Sequence, residues 1–354
     1  MRLMTGIRLL AVGLALVGAV GVAPASAAQP CVRAVVGDER LRTGIATAEP
    51  DREVRVLTCD GRWMRVAALP PSGAVLAPAP TPARRPPKAT AEPLGDTDVT
   101  GPFGPVEAAW MVTPTDAYDH GILGDAIEAK GFAVRRSDGE TVTYALSGPG
   151  VFEDRRVRLA DLTGDGRPEG IVVRSGEGAG ASLDVYALVG DDIARIAASS
   201  PIGLSHRWLN PVGAADFDGD GAVEVALVET PHIGGTLRIF GLCGGLSGGL
   251  SGDRLVEEAS LFGFSNHAIG ARLLDLAAVI DWDRDGLPDL AVPDRSRSAL
   301  VFLSLADGHL VERARFAHDQ EIATGILAAD LEGTGSVHVL YGLRDGTLVV
   351  HRRP

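Results

Sequence analysis

The chain has 354 residues, a formal net charge of −13 and 45 glycines, with only 5% aromatic residues. That length allows one large domain plus a small one. The acidic balance argues against binding to nucleic acid, whose phosphates such a surface repels, and the glycine content suits short strands joined by tight turns.

Residues 1–27 read as a signal peptide. Arg2 and Arg8 make a positive start, Leu9 to Ala23 is an apolar run, and Ala25-Ser26-Ala27 is a small-x-small cleavage site. The run is shorter than the ~20 residues of a membrane span; an uncleaved anchor is the alternative. The expected location is therefore periplasmic or secreted, with no membrane span after cleavage. Export permits disulfides. Cys31 and Cys59 bracket one small module and are the expected pair, which leaves Cys243 over.

Residues 28–69 are expected to form that small β module. Glu53-Val54-Arg55-Val56-Leu57 and Trp63-Met64-Arg65-Val66 alternate apolar and polar around Asp60-Gly61, a hairpin-turn signal. Residues 70–100 are expected to be a Pro/Ala-rich linker. Pro70, Pro71, Pro78, Pro80, Pro82, Pro86, Pro87 and Pro93 favour an extended chain without a core.

From residue 101 to 354 the chain repeats. Four segments align, beginning at Asp161, Asp216, Asp281 and Asp330, about 50 to 65 residues apart. Each follows an apolar run, as in Ile326-Leu327-Ala328, and precedes another, as in Val225-Ala226-Leu227-Val228. Two further strand-like runs complete each unit. Four strands per unit predict an all-β chain folded as a β-propeller of about five blades.

Inside each repeat, acids alternate. Asp161, Thr163, Asp165 and Glu169 fill positions 1, 3, 5 and 9 of the first; Asp216, Asp218, Asp220 and Glu224 those of the second; Asp281, Asp283, Asp285 and Asp289 those of the third. Alternate oxygens in a tight loop converge on a hard cation, and Gly at position 6 allows the turn. Ca2+, which tolerates irregular oxygen cages, is the expected ion. An EF-hand is excluded, because its position-12 Glu is replaced by Val172, Leu227 and Val292. The fourth repeat keeps only Asp330 and Glu332, with Thr334 and His338 at positions 5 and 9, and is expected to bind weakly or not at all.

These repeats resemble the FG-GAP/VCBS family, whose repeats also build the propeller of integrin α-chains. The resemblance covers roughly residues 105–354. It implies calcium held by the residues just named. The Gly-Ala-Pro that often follows the loop strand in integrin-type repeats is missing; Val228-Glu229-Thr230-Pro231 and Val292-Pro293-Asp294 stand instead. Integrin-style ligand binding is therefore not implied.

A second pattern falls on the connections opposite the acid loops. His120, His232 and His267 each precede a Gly-containing turn, and His206-Arg207-Trp208 occupies another connection. Three roles are open for these residues. Each imidazole could simply fix a loop by bonding backbone. Together they could form a ligand face, with Trp208 stacking and Arg207, Arg295 and Arg297 pairing with acids of an envelope or extracellular protein or glycan. They could also form a transition-metal or catalytic site. No Ser/His/Asp signature, His-Glu-x-x-His or nucleophile elbow is present. The expected function is a non-catalytic binding or scaffold module; the alternative is a hydrolase or lyase acting on an extracellular polymer.

Overall fold

The computed structural model describes residues 31–38, 46–47, 50–70, 73–82, 86, 91–243 and 253–353. The expected signal peptide lies outside the described residues. Among those described, the chain is all-β and no helix is long and apolar enough to cross a membrane.

Six antiparallel meanders follow one another. The first is β1 (Val32–Gly37), β2 (Val54–Thr58), β3 (Trp63–Ala68) and β4 (Val75–Pro78). In the second, residues 93–100 lie along β5 (Val106–Thr115), through Pro93↔Val112 and Thr100↔Ala109 bridges, followed by β6 (Glu128–Arg136) and β7 (Thr141–Ala145). The short β8 (Val151–Phe152) then ties this unit to the third. The third is β9 (Arg158–Ala160), β10 (Glu169–Gly176), β11 (Gly180–Val189) and β12 (Asp192–Ala198). The fourth is β13 (Leu209–Ala215), β14 (Glu224–Glu229), β15 (Gly235–Cys243) and β16 (Asp253–Phe264). The fifth is β17 (Ala278–Ile280), β18 (Asp289–Pro293), β19 (Ala299–Ala306) and β20 (His309–Ala317), and the last is β21 (Leu327–Ala329), β22 (His338–Gly342) and β23 (Leu348–Arg352). A parallel contact between β12 and β16 joins the third and fourth units at their outer strands.

Burial grades across each unit. The opening strands β9, β13, β17 and β21 are buried at every position. The closing strand β20 is mostly exposed and β7 only half-buried. The opening strands also meet one another: β17 packs on β13 and β21, and β21 packs on β1. Apolar cores fill the spaces between neighbouring units, as where Trp282 stacks on Phe302 at 4.0 Å beside Ile326, Val339 and Tyr341. Burial of these faces is the main stabilising force, since each β-branched or aromatic side chain removed from water contributes about 1.5–3 kcal/mol.

Polar groups tie the opening strands where apolar contact is absent. Arg156 reaches Asp98 of the second unit at 2.8 Å and Asp275, ahead of β17, at 2.9 Å. Asn210 on β13 donates to the carbonyls of Asn266 and Leu274, at 3.2 and 3.0 Å.

The N-terminal region departs from the expected small module and linker. Cys31 and Cys59 are joined by a disulfide, as expected. However, the sheet extends to Pro78, past the expected boundary at residue 69, and β4 is built from the Pro/Ala-rich stretch. The sheet is not a body apart, because Val32, Val35, Val54, Val56 and Val66 share one core with Leu327, Ala329, Leu340 and Leu348. The connection from β1 to β2 also crosses to other units. Ala46 bridges Gly213 on β13, and Asp51 bridges Ala329 on β21. Gly213 is required there, since a Cβ would lie 2.4 Å from Val279 and 2.9 Å from the Ala46 carbonyl. Among the described residues, five such units follow the N-terminal sheet, which makes a sixth. That sheet escapes the repeat pattern because the sequence between β1 and β2 carries no Asp-x-Asp-x-Asp-Gly run. Among the described residues the last unit keeps three strands, and the early strands form their own sheet.

Phe302→Ala removes a fully buried ring from the fifth unit's core and is expected to cost about 3–5 kcal/mol in urea unfolding at fixed calcium. A loss below about 1 kcal/mol would show that this cluster is not a core.

Candidate functional site

The acid loops lie where the repeats place them, between the first and second strands of the third to sixth units. Three backbone devices recur. The position-1 aspartate accepts from N–H groups across the turn: Asp161 from Gly164 and Gly166 at 2.8 and 2.9 Å, Asp216 from Gly219 and Gly221 at 2.7 and 3.0 Å, and Asp330 from Thr334 and Gly335 at 3.1 and 2.9 Å. Positions 4 and 6 are left-handed in all four loops, which favours glycine. The exception is Arg284, at position 4 of the third loop with φ 64°. Third, the buried position-9 acid reaches back to the N–H of position 2: Glu169 to Leu162, Glu224 to Phe217 and Asp289 to Trp282, each at 2.8 Å.

Oxygens gather most closely in two loops. Ligand atoms of Asp216, Asp218, Asp220 and Glu224 lie within 4.8 Å of one another, as do those of Asp281, Asp283 and Asp285. Asp289 is outside the second group; its oxygens also accept from the Ser304 hydroxyl. The first loop, at Asp161, Thr163, Asp165 and Glu169, shares the turn geometry without forming so close a cluster among the described residues. The fourth, with Asp330 and Glu332, likewise keeps the turn and not the cluster. These oxygen-only clusters fit a hard divalent cation. Burial pushes the position-9 acids up, Glu169 and Glu224 to about 7 and Asp289 to about 6, with the neighbouring aspartates adding to the shift. A bound cation would oppose that repulsion.

The histidines form two clusters. In the first, Tyr118 stacks on His206 at 5.2 Å, and His206 lies 5.2 Å from His120. His120 bonds the fully buried Glu153 through Nδ1, and the Ser175 hydroxyl donates to the other Glu153 oxygen. In the second, His232 Nε2 donates to His267 Nδ1 at 2.8 Å, and His267 Nε2 donates to the Ala271 carbonyl at 2.8 Å. Burial pushes His232 down to about 3 and His267 to about 4, so this pair is neutral.

Two expected face residues are corrected by this geometry. Trp208 is 2% exposed and its indole N–H donates to the Glu153 carbonyl at 2.9 Å, so it cannot stack on a ligand. His267 is fully buried and bonds the backbone. His206 is exposed, while His120, Arg207 and His232 are half-buried and remain at the surface. No protein-family model matches the chain, and no curated protein matches it. Glu153 and Tyr118 were not among the expected residues. Glu153 follows a two-residue strand, too short to show a period, and no histidine lies near it in sequence.

The raised acids set a pH dependence. Their folded values lie above the unfolded ones, so the stability they contribute is full below about pH 4 and lost as pH rises through about 6–7. His232 and His267 act oppositely: their contribution is full above about 6.5 and lost as pH falls. The histidine effect is common to metal-free and metal-loaded protein. The gain in melting temperature from calcium over chelator is therefore expected to grow between about pH 5 and pH 8. A gain that is flat or shrinks with pH would refute the assignment of these acids.

Proposed function

We propose that the chain is an exported, calcium-binding β-propeller of FG-GAP/VCBS type that presents one face to a protein or glycan and carries no chemistry of its own. The observation that carries this reading is the recurrence of acid loops at one structural position, with oxygens clustered in two of them. The inward-to-outward burial gradient and the contacts between opening strands support a radial array of six blades. The Cys31–Cys59 disulfide agrees with an oxidising compartment.

The calcium acts as a structural brace. It would draw the loop acids together between two strands, whereas the surface histidines lie on connections opposite the loops. His206, Arg207, His120 and His232 are the side chains of the proposed binding face that reach the surface.

A second reading, an enzyme acting on an extracellular polymer, draws on His120. The buried Glu153 carboxylate orients its ring and leaves Nε2 for proton transfer. Polymer cleavage by the purified chain that is lost in His120→Asn would favour it.

Two measurements test the first reading. Calcium at about 100 times its dissociation constant should add roughly 2.7 kcal/mol per site. Asp218→Asn and Asp283→Asn should each remove part of that gain, and a chelator-insensitive melt would sink the metal assignment. A partner captured by the wild-type chain from an extracellular fraction should be lost with a His206→Ala/Arg207→Ala double variant. Unchanged capture would move the binding face elsewhere.

A further inference from the structure

A cleft of about 350 Å³ opens among the segment before β8, the β10–β11 hairpin and β12. Its lining carries Arg174, Ser175, Glu177, Ser182, Arg195 and Ser199. Its charged side chains are two arginines, Arg174 and Arg195, and one acid, Glu177.

The two arginines share one buried partner. Asp184, fully buried behind it, pairs with Arg195 at 3.1 Å and with Arg174 at 3.9 Å. The Ser182 hydroxyl donates to the same carboxylate at 2.7 Å. One carboxylate thus faces two guanidinium groups, and these are the arginines' only ion pairs among the described residues. Both arginines stay partly open to solvent, with side-chain exposures of 33% and 46%. Guanidinium groups so held keep further N–H donors for an oxyanion, and their planar fork matches a carboxylate.

The remaining groups are acceptors. The hydroxyl protons of Ser175, Ser182 and Ser199 are committed to Glu153, Asp184 and the Ser200 carbonyl. Ser175 and Ser199 are buried, whereas Ser182 is half-buried and its oxygen keeps lone-pair capacity for a ligand hydroxyl. Glu177, the acid in the lining, accepts from Ser205 at 2.9 Å through one carboxylate oxygen and keeps the other. The cleft is in the size range of small-molecule sites, larger than a bare oxyanion needs.

We propose that this cleft binds a sugar acid, the carboxylate-bearing unit of an acidic glycan, with Arg174 and Arg195 on the carboxylate and Ser182 and Glu177 on the hydroxyls. The proposal narrows the partner class of the binding function above and rests on that reading for the ligand's biological source. The cleft itself is tested by direct titration.

The test is calorimetric titration of the whole purified chain at low ionic strength with glucuronate, glucose and inorganic phosphate. Glucuronate should bind saturably, and glucose and phosphate each at least about tenfold more weakly. Arg174→Gln should weaken glucuronate about tenfold while leaving the melting temperature near wild type, because Asp184 keeps its nearer partner Arg195. An Arg174→Gln/Arg195→Gln double variant should abolish binding. No glucuronate binding, equal binding of phosphate, or binding unchanged in Arg174→Gln would overturn the proposal. A failed titration beside a successful His206→Ala/Arg207→Ala capture experiment would remove the cleft and leave the binding module standing.

Discussion

Three of the four acid loops are closed by a hydrogen bond from the N–H of the second loop residue to the buried acid at the ninth. Through Glu169, Glu224 and Asp289 the same contact recurs in three successive units. It fixes the turn between the first two strands and so sets the register in which the opening strand enters the core. It also places a carboxylate in a poorly solvated position, where burial and neighbouring acids hold its proton. Fold and proposed metal site therefore depend on the same atom group: the acid that shapes the loop is also the one whose charge a cation would relieve.

That dependence explains why the loops were legible in the sequence. A tight loop needs glycine where the backbone turns left-handed and acids where N–H groups point inward. Both requirements are local, so Asp216-Phe217-Asp218-Gly219-Asp220-Gly221 announces them directly. The third loop shows the tolerance of the pattern, since Arg284 takes a left-handed position that glycine fills in the other three.

What the sequence hid depends on contacts between distant segments. Trp208 sits in a polar run, His206-Arg207-Trp208, that reads as surface. Its burial follows from the path of Glu153, 55 residues earlier, whose carbonyl takes the indole proton. The first sheet was set apart because no Asp-x-Asp-x-Asp-Gly run lies between its first two strands and a proline-rich stretch follows it. Yet Pro78 is an edge position, where a missing N–H does no harm, and its valines complete the core of the last unit. The arginine cleft was equally hidden. Arg174 and Arg195 belong to different strands, and only the antiparallel path through β11 brings both to Asp184.

The loops also touch one another. Gly219 leaves room for Leu287 of the next loop, which a Cβ would meet at 2.8 Å, and Gly104 approaches the Gly166 carbonyl and Pro168 in the same way. Arg353 spans two more, donating to the carbonyls of Asp281 and Gly335 at 3.0 and 3.3 Å. Repeats that interlock in this manner are not interchangeable parts. Copying or deleting one would bring together loops never shaped for each other, so the array can diverge residue by residue far more readily than it can change its number of units. That gives a physical reason why the last loop can carry Thr334 and His338 where the others carry acids and still keep its turn.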